Sequence, residues 1–394
     1  MLLSIALMLL TGMAAGWLCG KLKLPRLLGM ILTGILLGPY VLDLVDSSLL
    51  GISADIRKIA LIIILTRAGL TLNIEDLKKV GRPAVLMCFL PATAELLGMI
   101  LLAPKLLGLS ILESAILGAV VAAVSPAVVV PKMLRLMEEG YGTKQGIPQL
   151  VLAGASVDDV FVIVLFTTFT GLAQGQGISA MSFVNVPVSI LLGIGLGGIL
   201  GFLMAKFFEK VHIRDSAKVL ILLSVFFILV TVEDRMTTAI TFSALIAVMF
   251  TGISLQKYRK VVAQRLSLKF NKLWVGAEIL LFVLVGTTVN IRYAASAGAG
   301  MIILIGAVLC FRMVGVFLCL LGTKLTIRER LFCMFAYTPK ATVQAAIGGI
   351  PLAMGLSCGN IVLTVAVLAI LITAPLGAFL IDVTYKRFLQ CEEK

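Results

Sequence analysis

The chain has 394 residues, of which 60% are hydrophobic and 13% are charged, and its mean hydropathy is +1.12. This composition excludes a soluble globular domain and predicts a polytopic helical membrane protein, because apolar stretches able to cross about 30 Å of hydrocarbon recur from end to end. The net charge of +13 does not indicate nucleic-acid binding. The basic residues cluster in alternate connections between apolar stretches, which is a signal of membrane topology.

The alternation of apolar stretches and polar connections predicts about thirteen membrane spans. Twenty-five lysines and arginines lie in or beside the odd-numbered connections and the C-terminal tail, against five for the even-numbered ones. Since basic residues favour the cytoplasmic side, we expect a cytoplasmic C-terminus and an external N-terminus, in a bacterial-type inner membrane. The predicted spans are residues 1–20, 27–42, 57–73, 83–104, 111–131, 147–172, 186–208, 217–232, 237–255, 273–290, 294–322, 328–350 and 358–385.

Two features stand out in the first three spans. Gly34 and Gly38 are four residues apart, a spacing that lets another helix approach closely, either within the chain or in a homodimer. Arg67 lies five or six residues from the predicted end of the third span. Its side chain either extends to the membrane surface or has a role in function.

The next three spans carry buried acids and a predicted helix break. Glu95 in the fourth span is too deep to reach water and needs a partner. Pro126 removes a backbone donor, so the fifth span should be kinked or broken near Ser125. Asp158 and Asp159 are adjacent in the sixth span, where one acidic side chain costs about 2.5–3.5 kcal/mol. Neighbouring helix residues point about 100° apart, so we expect the two carboxylates to have different roles.

A weak internal match relates the fifth span to the twelfth. Ala-Val-Ser-Pro at 123–126 corresponds to Ala-Tyr-Thr-Pro at 336–339, and Glu95 and Arg312 each lie one span upstream of the proline-broken helix. Spans 4–6 and 11–13 therefore resemble two copies of a three-helix unit, inverted because they are offset by seven spans. Paired proline-interrupted helices predict a transporter binding site near the membrane midplane.

The charged residues beside the breaks indicate ion exchange. Lys340 lies next to the second break, and we expect it to pair with one of the two aspartates and to leave the other free. A carboxylate that holds either a proton or a small hard cation, in a site that opens alternately to the two sides, is sufficient for antiport. Glu95 and Arg312 are expected to pair and to fix the geometry of the bundle.

Four stretches together resemble the monovalent cation:proton antiporter superfamily, and in particular its NHA-type sodium/proton antiporter branch. They are Ser-Pro-Ala-Val-Val-Val-Pro at 125–131, Gly-Tyr-Gly at 140–142, the Asp158–Asp159 pair and Thr-Pro-Lys-Ala-Thr-Val-Gln-Ala-Ala-Ile-Gly at 338–348. The resemblance covers nearly the whole chain. It implies an all-helical fold with two inverted repeats and crossed broken helices, a separate dimerisation bundle and elevator-like alternating access.

The resemblance also implies roles for individual residues. These are Asp159 and Asp158 for Na⁺ or Li⁺ and for the proton, Ser125 beside them, Lys340 as a charge partner, Glu95 and Arg312 as a salt bridge, and Thr338 and Gln344 as further candidates. Some relatives place a lysine at the position of Arg312 and an acid at the first break, where this chain has Ser125 and Pro126. The stoichiometry of exchange is therefore open. No cofactor is expected beyond the transported ions.

The predicted organisation has five segments. Residues 1–82 and 216–292 form scaffold and dimerisation helices, 83–175 and 293–394 form the two core repeats with a short cytoplasmic tail, and 176–215 form a linker helix. The expected partners are a monovalent cation, a proton, the lipid bilayer and a second copy of the chain, with no nucleic acid.

Other functions give different expectations. A sodium-coupled symporter of an organic anion could use similar broken helices but would need amide and hydroxyl ligands rather than an aspartate pair, and a K⁺/H⁺ antiporter would use the same carboxylates. A channel is disfavoured because no carbonyl filter or ring of charges is recognisable. An enzyme is disfavoured because the sequence has one histidine and contains neither His-Glu-x-x-His nor Gly-x-Ser-x-Gly.

Overall fold

The computed structural model describes residues 1–22, 24–71, 81–174, 180–236, 242–289 and 291–391. Helices make up 82% of the described residues, which contain no β-strand, only an isolated bridge between Tyr141 and Cys391. The predicted all-helical class is therefore confirmed. Residues 23, 72–80, 175–179, 237–241, 290 and 392–394, some of which were used in the topology prediction, lie outside the described residues.

The described residues form eighteen helices. In chain order they are α1 (Leu2–Lys21), α2 (Arg26–Leu37), α3 (Ser47–Gly51), α4 (Ser53–Thr71), α5 (Arg82–Met87), α6 (Leu90–Leu107), α7 (Ile111–Val121), α8 (Pro126–Glu139), α9 (Ile147–Ala173), α10 (Ala180–Lys210), α11 (Asp215–Arg235), α12 (Ala244–Tyr258), α13 (Lys260–Thr287), α14 (Ile291–Cys319), α15 (Ile327–Ala336), α16 (Thr342–Ile347), α17 (Ile350–Ala353) and α18 (Gly359–Phe388).

Many of these helices have the length and composition of membrane spans. Within the described ranges, four apolar helices of 10–17 residues accompany seven longer segments that could each cross a bilayer. The seven are Leu2–Lys21, Arg82–Leu107, Ile111–Glu139, Leu191–Lys210, Asp215–Arg235, Ala299–Cys319 and Gly359–Phe388.

Two spans are interrupted in the middle, as their prolines predict. Helix α7 ends at Val121 and α8 begins at Pro126, while α15 ends at Ala336 and α16 begins at Thr342. Pro126 is tolerated as the first residue of a helix, where its missing N–H is not needed. The chain between the two helical halves leaves backbone groups free for other partners.

Both interrupted spans begin with the same cap. Ser110 and Glu113 form a capping box at the start of α7, and Thr326 and Glu329 form one at the start of α15. In each box the hydroxyl accepts from the glutamate N–H and the carboxylate accepts from the cap N–H. The shared cap supports the equivalence of the two repeats.

The described residues cluster into two compact units. The first lies within Met1–Ala54, Glu75–Ala173 and Ile279–Lys394, and it contains both interrupted spans. The second lies within Asp55–Ile74 and Gln174–Glu278.

Glycines hold helices close together in the first unit. A Cβ at Gly34 would overlap the carbonyl oxygen of Val283, and a Cβ at Gly286 would overlap that of Ile31. The backbones of α2 and α13 therefore touch, and a Cβ at Gly38 would lie 2.9 Å from the Cα of Thr287. Of the two interpretations of this glycine spacing, the structure shows the contact within the chain.

Helix α6 packs lengthwise on α14 in the same unit. A Cβ at Gly98 would lie 2.7 Å from the Phe311 ring, and one at Gly315 would lie 2.8 Å from the Cα of Pro91. These close contacts bring the middle of α6 against the middle of α14, where Glu95 and Arg312 lie. Packing thus positions two of the predicted charges.

Candidate functional site

Four buried charges meet in the first unit. Glu95 on α6, Asp158 on α9 and Lys340 after α15 are each 0% exposed, and Arg312 on α14 is 1% exposed. Charges so far from water require both ion pairing and hydrogen bonding. The packing of these elements supplies both the ion pairs and the hydrogen bonds, because each of four elements contributes one charge.

Arg312 is the centre of this cluster. Its Nη1 lies 3.0 Å from Oε2 of Glu95, and its Nη2 lies 2.9 Å from Oδ2 of Asp158. Its Nε donates to the carbonyl of Tyr337 at 2.7 Å, and Nη1 also donates to the carbonyl of Ala122. The guanidinium therefore joins two acids and the backbone of both breaks, which suits its rigid set of five donors.

Lys340 has a different partner from the one expected. Its Nζ lies 2.7 Å from each oxygen of the Glu95 carboxylate and donates to the carbonyl of Val121 at 2.7 Å. The expected pairing with an aspartate is wrong because Asp158 is already bonded, through Oδ2, to Arg312 and to the N–H of Val124. Glu95 thus serves both cations, and Lys340 is its second partner.

The two breaks cross and bond to each other. The N–H of Ser125 donates to the carbonyl of Pro339 at 2.8 Å. From α16, Nε2 of Gln344 donates to the carbonyls of Val121 and Ala123 at 3.1 and 2.9 Å. These bonds satisfy backbone groups that the interrupted helices leave without partners. The predicted crossing of two broken helices is confirmed.

Helix α7 ends with its negative dipole end facing the two cations. The carbonyls of Val121 and Ala122 accept from Lys340 and Arg312, where a helix C-terminus favours positive charge. The N–H of Lys340 is fixed by Oγ1 of Thr373 on α18 at 3.0 Å. Lys340 is therefore held by hydrogen bonds from both its ammonium group and its backbone N–H.

Asp159 differs from the other acids of the site. It is 8% exposed, and in the described parts of the chain it forms no ion pair. Its Oδ1 is buried without a hydrogen-bond partner. Carboxylate and hydroxyl oxygens are the ligands that hard cations such as Na⁺ prefer. Buried oxygens at or near the breaks that also lack a hydrogen-bond partner include Oγ of Ser125, Oδ1 of Asp158, Oγ1 of Thr342 and Oε1 of Gln344.

Two further predicted residues, Thr338 and Arg67, have other contacts. Thr338 is fully buried in the second break, but its hydroxyl donates to the carbonyl of Phe335 at 2.9 Å, which is a local turn contact. Arg67 is half-buried in the second unit, where it lies within electrostatic reach of Glu278.

Sequence reasoning missed several members of the site. The carbonyls of Val121, Ala122 and Ala123 have no side-chain signature, since any residue carries them. Thr373 had a weak signal, because it is a hydroxyl inside a long apolar helix. The spacing Ser-x-x-Glu at 110–113 and Thr-x-x-Glu at 326–329 would have identified where both interrupted spans begin.

Comparison with known proteins decides the family. The family model described as "Sodium/hydrogen exchanger, transmembrane" matches residues 5–386. The chain belongs to this family. Human sodium/hydrogen exchanger 9B2 is 34% identical over 413 residues, covering 99% of this chain and 75% of the relative. Human sodium/hydrogen exchanger 9B1 is 32% identical over 384 residues, covering 93% and 73%. The resemblance stated from the motifs is confirmed.

A solved structure shares the fold. The sodium proton antiporter MjNhaP1 from Methanocaldococcus jannaschii, determined at pH 8, superposes with a TM-score of 0.85 and 21% sequence identity. The match covers 98% of this chain and 97% of that one. The exchanger fold is thus shared along the whole chain, and the protein is an integral membrane protein.

Proposed function

We propose that this exchanger moves Na⁺ or Li⁺ across the membrane against H⁺ by alternating access, with the cation and the proton competing for Asp159. The observation that carries the proposal is that Asp159 is the buried carboxylate of the site with no cationic partner among the described residues. A buried charge without a partner is costly, so this carboxylate needs either a proton or a bound cation.

The neighbouring charges support a one-for-one exchange. Arg312 and Lys340 carry two positive charges, and Glu95 and Asp158 carry two negative charges, so these four balance. Asp159 adds one further negative charge, which one proton or one monovalent cation neutralises. Each direction of transport then carries one positive charge.

Charge compensation also couples the two ions. With Asp159 ionised and unoccupied, the site carries a net charge that opposes passage through the low-dielectric part of the protein. With a proton or a cation bound, the site is neutral in both forms. The conformational change therefore occurs mainly when a proton or a cation is bound, which is the requirement for exchange without leakage.

The remaining assignments follow the same proposal. The repeats 83–175 and 293–394 form the moving core, 1–82 and 216–292 form the scaffold and the contacts of a homodimer, and 176–215 link them. The excess of basic residues in odd-numbered connections supports a cytoplasmic C-terminus in a plasma-membrane-type bilayer. The family favours sodium–proton exchange over an organic-anion symporter, K⁺/H⁺ exchange or an enzymatic function.

Reconstituted vesicles test the proposal. Adding Na⁺ or Li⁺ to vesicles that contain a pH-sensitive dye should move protons in the opposite direction without any organic solute. Asp159→Asn should abolish this signal, and Asp158→Asn should reduce it, because Arg312 then loses one of its two acids. The control is Asp46→Asn, which changes an exposed loop acid and should exchange normally. Normal turnover by Asp159→Asn refutes the proposed site.

A further inference from the structure

Three consecutive backbone carbonyls at the first break are occupied by side chains of the other repeat. Ala122 accepts from Arg312, and Val121 accepts from both Lys340 and Gln344. Ala123 accepts from Nε2 of Gln344 at 2.9 Å, and in the described part of the chain this amide is its one side-chain donor. Gln344 itself is 1% exposed.

Left open, these carbonyls would attract a cation. They lie at or just after the C-terminus of α7, where the helix dipole adds partial negative charge. Rows of backbone carbonyls replace the hydration shell of K⁺ in selective channels. The row is also close to the aspartate pair, because the N–H of the next residue, Val124, donates to Asp158. An unoccupied carbonyl here would thus be available to an ion bound at the aspartates.

The orientation of the Gln344 amide is fixed by its two acceptors. A flipped amide would place Oε1 against two carbonyl oxygens, which cannot donate. The donor is also neutral. A lysine or arginine at this position would add a third positive charge to a cluster that already balances and would repel the transported ion. A glutamine blocks the carbonyls without changing the charge.

We propose that Gln344 is a specificity-determining residue, which acts by withholding the carbonyls of Val121 and Ala123 from the transported ion. The ion is then held by the Asp159 carboxylate and hydroxyl oxygens, a small set of hard ligands that suits Na⁺ and Li⁺ better than K⁺. Gln344 does not bind the ion in this role and acts through the backbone. The inference rests on the proposed function at Asp159.

The test compares ion preference in Gln344→Met with the wild-type protein. Methionine fills a similar volume but has no donor, so Ala123 is left with an open carbonyl. The half-saturating concentrations of Na⁺, Li⁺ and K⁺ are measured by proton release from reconstituted vesicles. The preference for Na⁺ over K⁺ should fall about tenfold, the factor that one additional polar contact to the larger ion corresponds to. Gln149→Met, the same change at a half-buried glutamine in the first turn of α9, should keep the wild-type preference.

A second variant and a second readout cover a failure to fold. Gln344→Asn keeps the amide but is one methylene shorter, so it cannot reach both carbonyls and should shift the preference in the same direction by less. Stabilisation of the detergent-solubilised protein by NaCl and by KCl, measured as the shift in its unfolding temperature, reports binding without transport. In the variants, the shift caused by KCl should increase relative to the shift caused by NaCl.

Two results would overturn the inference. One is an equal loss of turnover for all three ions with unchanged ratios, which would make Gln344 a structural clamp alone. The other is wild-type behaviour of both Gln344 variants. Either result leaves exchange at Asp159 standing, whereas a wild-type protein that moves no protons in response to Na⁺ would remove the proposed function itself.

Discussion

The two helix breaks contribute opposite chemistry to the site. The first break, residues 122–125, supplies backbone acceptors and carries no charged side chain. The second break, residues 337–341, carries Lys340 and is followed by Gln344. Both side chains donate to the carbonyl of Val121, the last residue of α7 before the first break. The breaks also bond to each other, since the N–H of Ser125 in the first donates to the carbonyl of Pro339 in the second. The inverted repeats are therefore similar in backbone shape but complementary in charge.

This difference explains why one carboxylate is left over. Lys340 neutralises Glu95 and the end of α7, while Arg312 joins Glu95 to Asp158. Lys340 and Arg312 thus both form their ion pairs within the cluster that connects the repeats. Asp159 follows Asp158 in the chain but forms no ion pair within the described residues, which is why we propose it as the carboxylate that the transported ions share.

The largest effect should come from removing the shared acid of the cluster. Glu95→Gln leaves Lys340 without its carboxylate, and an uncompensated buried charge costs about 3–5 kcal/mol. We expect a strongly lowered unfolding temperature in detergent and no measurable exchange. The unfolding temperature is measured by heating the protein in detergent and monitoring the folded fraction by size-exclusion chromatography. Exchange is measured in reconstituted vesicles.

A double variant separates charge balance from the loss of one side chain. Glu95→Gln combined with Lys340→Met removes one charge of each sign, and Arg312 keeps Asp158. The double variant should therefore be more stable than Glu95→Gln alone. If the two substitutions lower stability additively, the charge complementarity of the breaks is not what holds them together.

A smaller effect is expected from a substitution that adds a methyl group against the second break and leaves the charge of the site unchanged. A Cβ at Gly154 on α9 would overlap the hydroxyl of Tyr337, whose carbonyl accepts from Arg312. Gly154→Ala should cost about 1–3 kcal/mol and slow exchange, because this site is closely packed. Gly171→Ala on the same helix meets no atom within 4 Å and should keep wild-type stability and transport. Equal behaviour of the two variants would contradict the packing described around Tyr337.

The smallest effect should come from an acid outside the spans. A hydrogen bond from the Ser48 hydroxyl lowers the pKa of Asp46 from 3.8 to about 2. The ionised form is therefore favoured in the folded protein, and its contribution to stability is present above pH 3.8 and lost as the pH falls through about 2. Asp46→Asn should be slightly less stable at neutral pH, and this difference should vanish near pH 2. Unfolding temperatures measured between pH 2 and neutral pH check the stability difference. Exchange is assayed at neutral pH, and a changed exchange rate would contradict the conclusion that only the buried acids act in transport.

The fold was largely predictable from local sequence features. Pro126 and Pro339 indicated both breaks because proline removes a backbone donor and clashes with the preceding turn. Apolar length indicated the spans. One difference lies in the basic stretch before the tenth span. Residues 256–272 lie between the ninth and tenth predicted spans, yet α13 begins at Lys260 and continues to Thr287, because helix formation does not require an apolar sequence throughout.

Partner choice within the site was not predictable in the same way. The cost of a buried charge showed that Glu95, Arg312 and Lys340 need partners, but not which ones. Their pairing depends on the packing of α6 against α14, which places Glu95 between two cations. The contacts of Gln344 are with backbone carbonyls, whose positions follow from the crossing of the breaks rather than from residue type.

The direct test of a single shared carboxylate is the effect of membrane voltage on exchange. Reconstituted protein is given equal Na⁺ concentrations and equal pH on both sides, and the membrane potential is then set with a potassium ionophore at either sign. One proton exchanged for one Na⁺ moves no net charge, so neither ion should accumulate, and an imposed Na⁺ gradient should be balanced by a pH gradient of equal size. Proton or Na⁺ movement driven by the potential alone would contradict exchange at Asp159 alone.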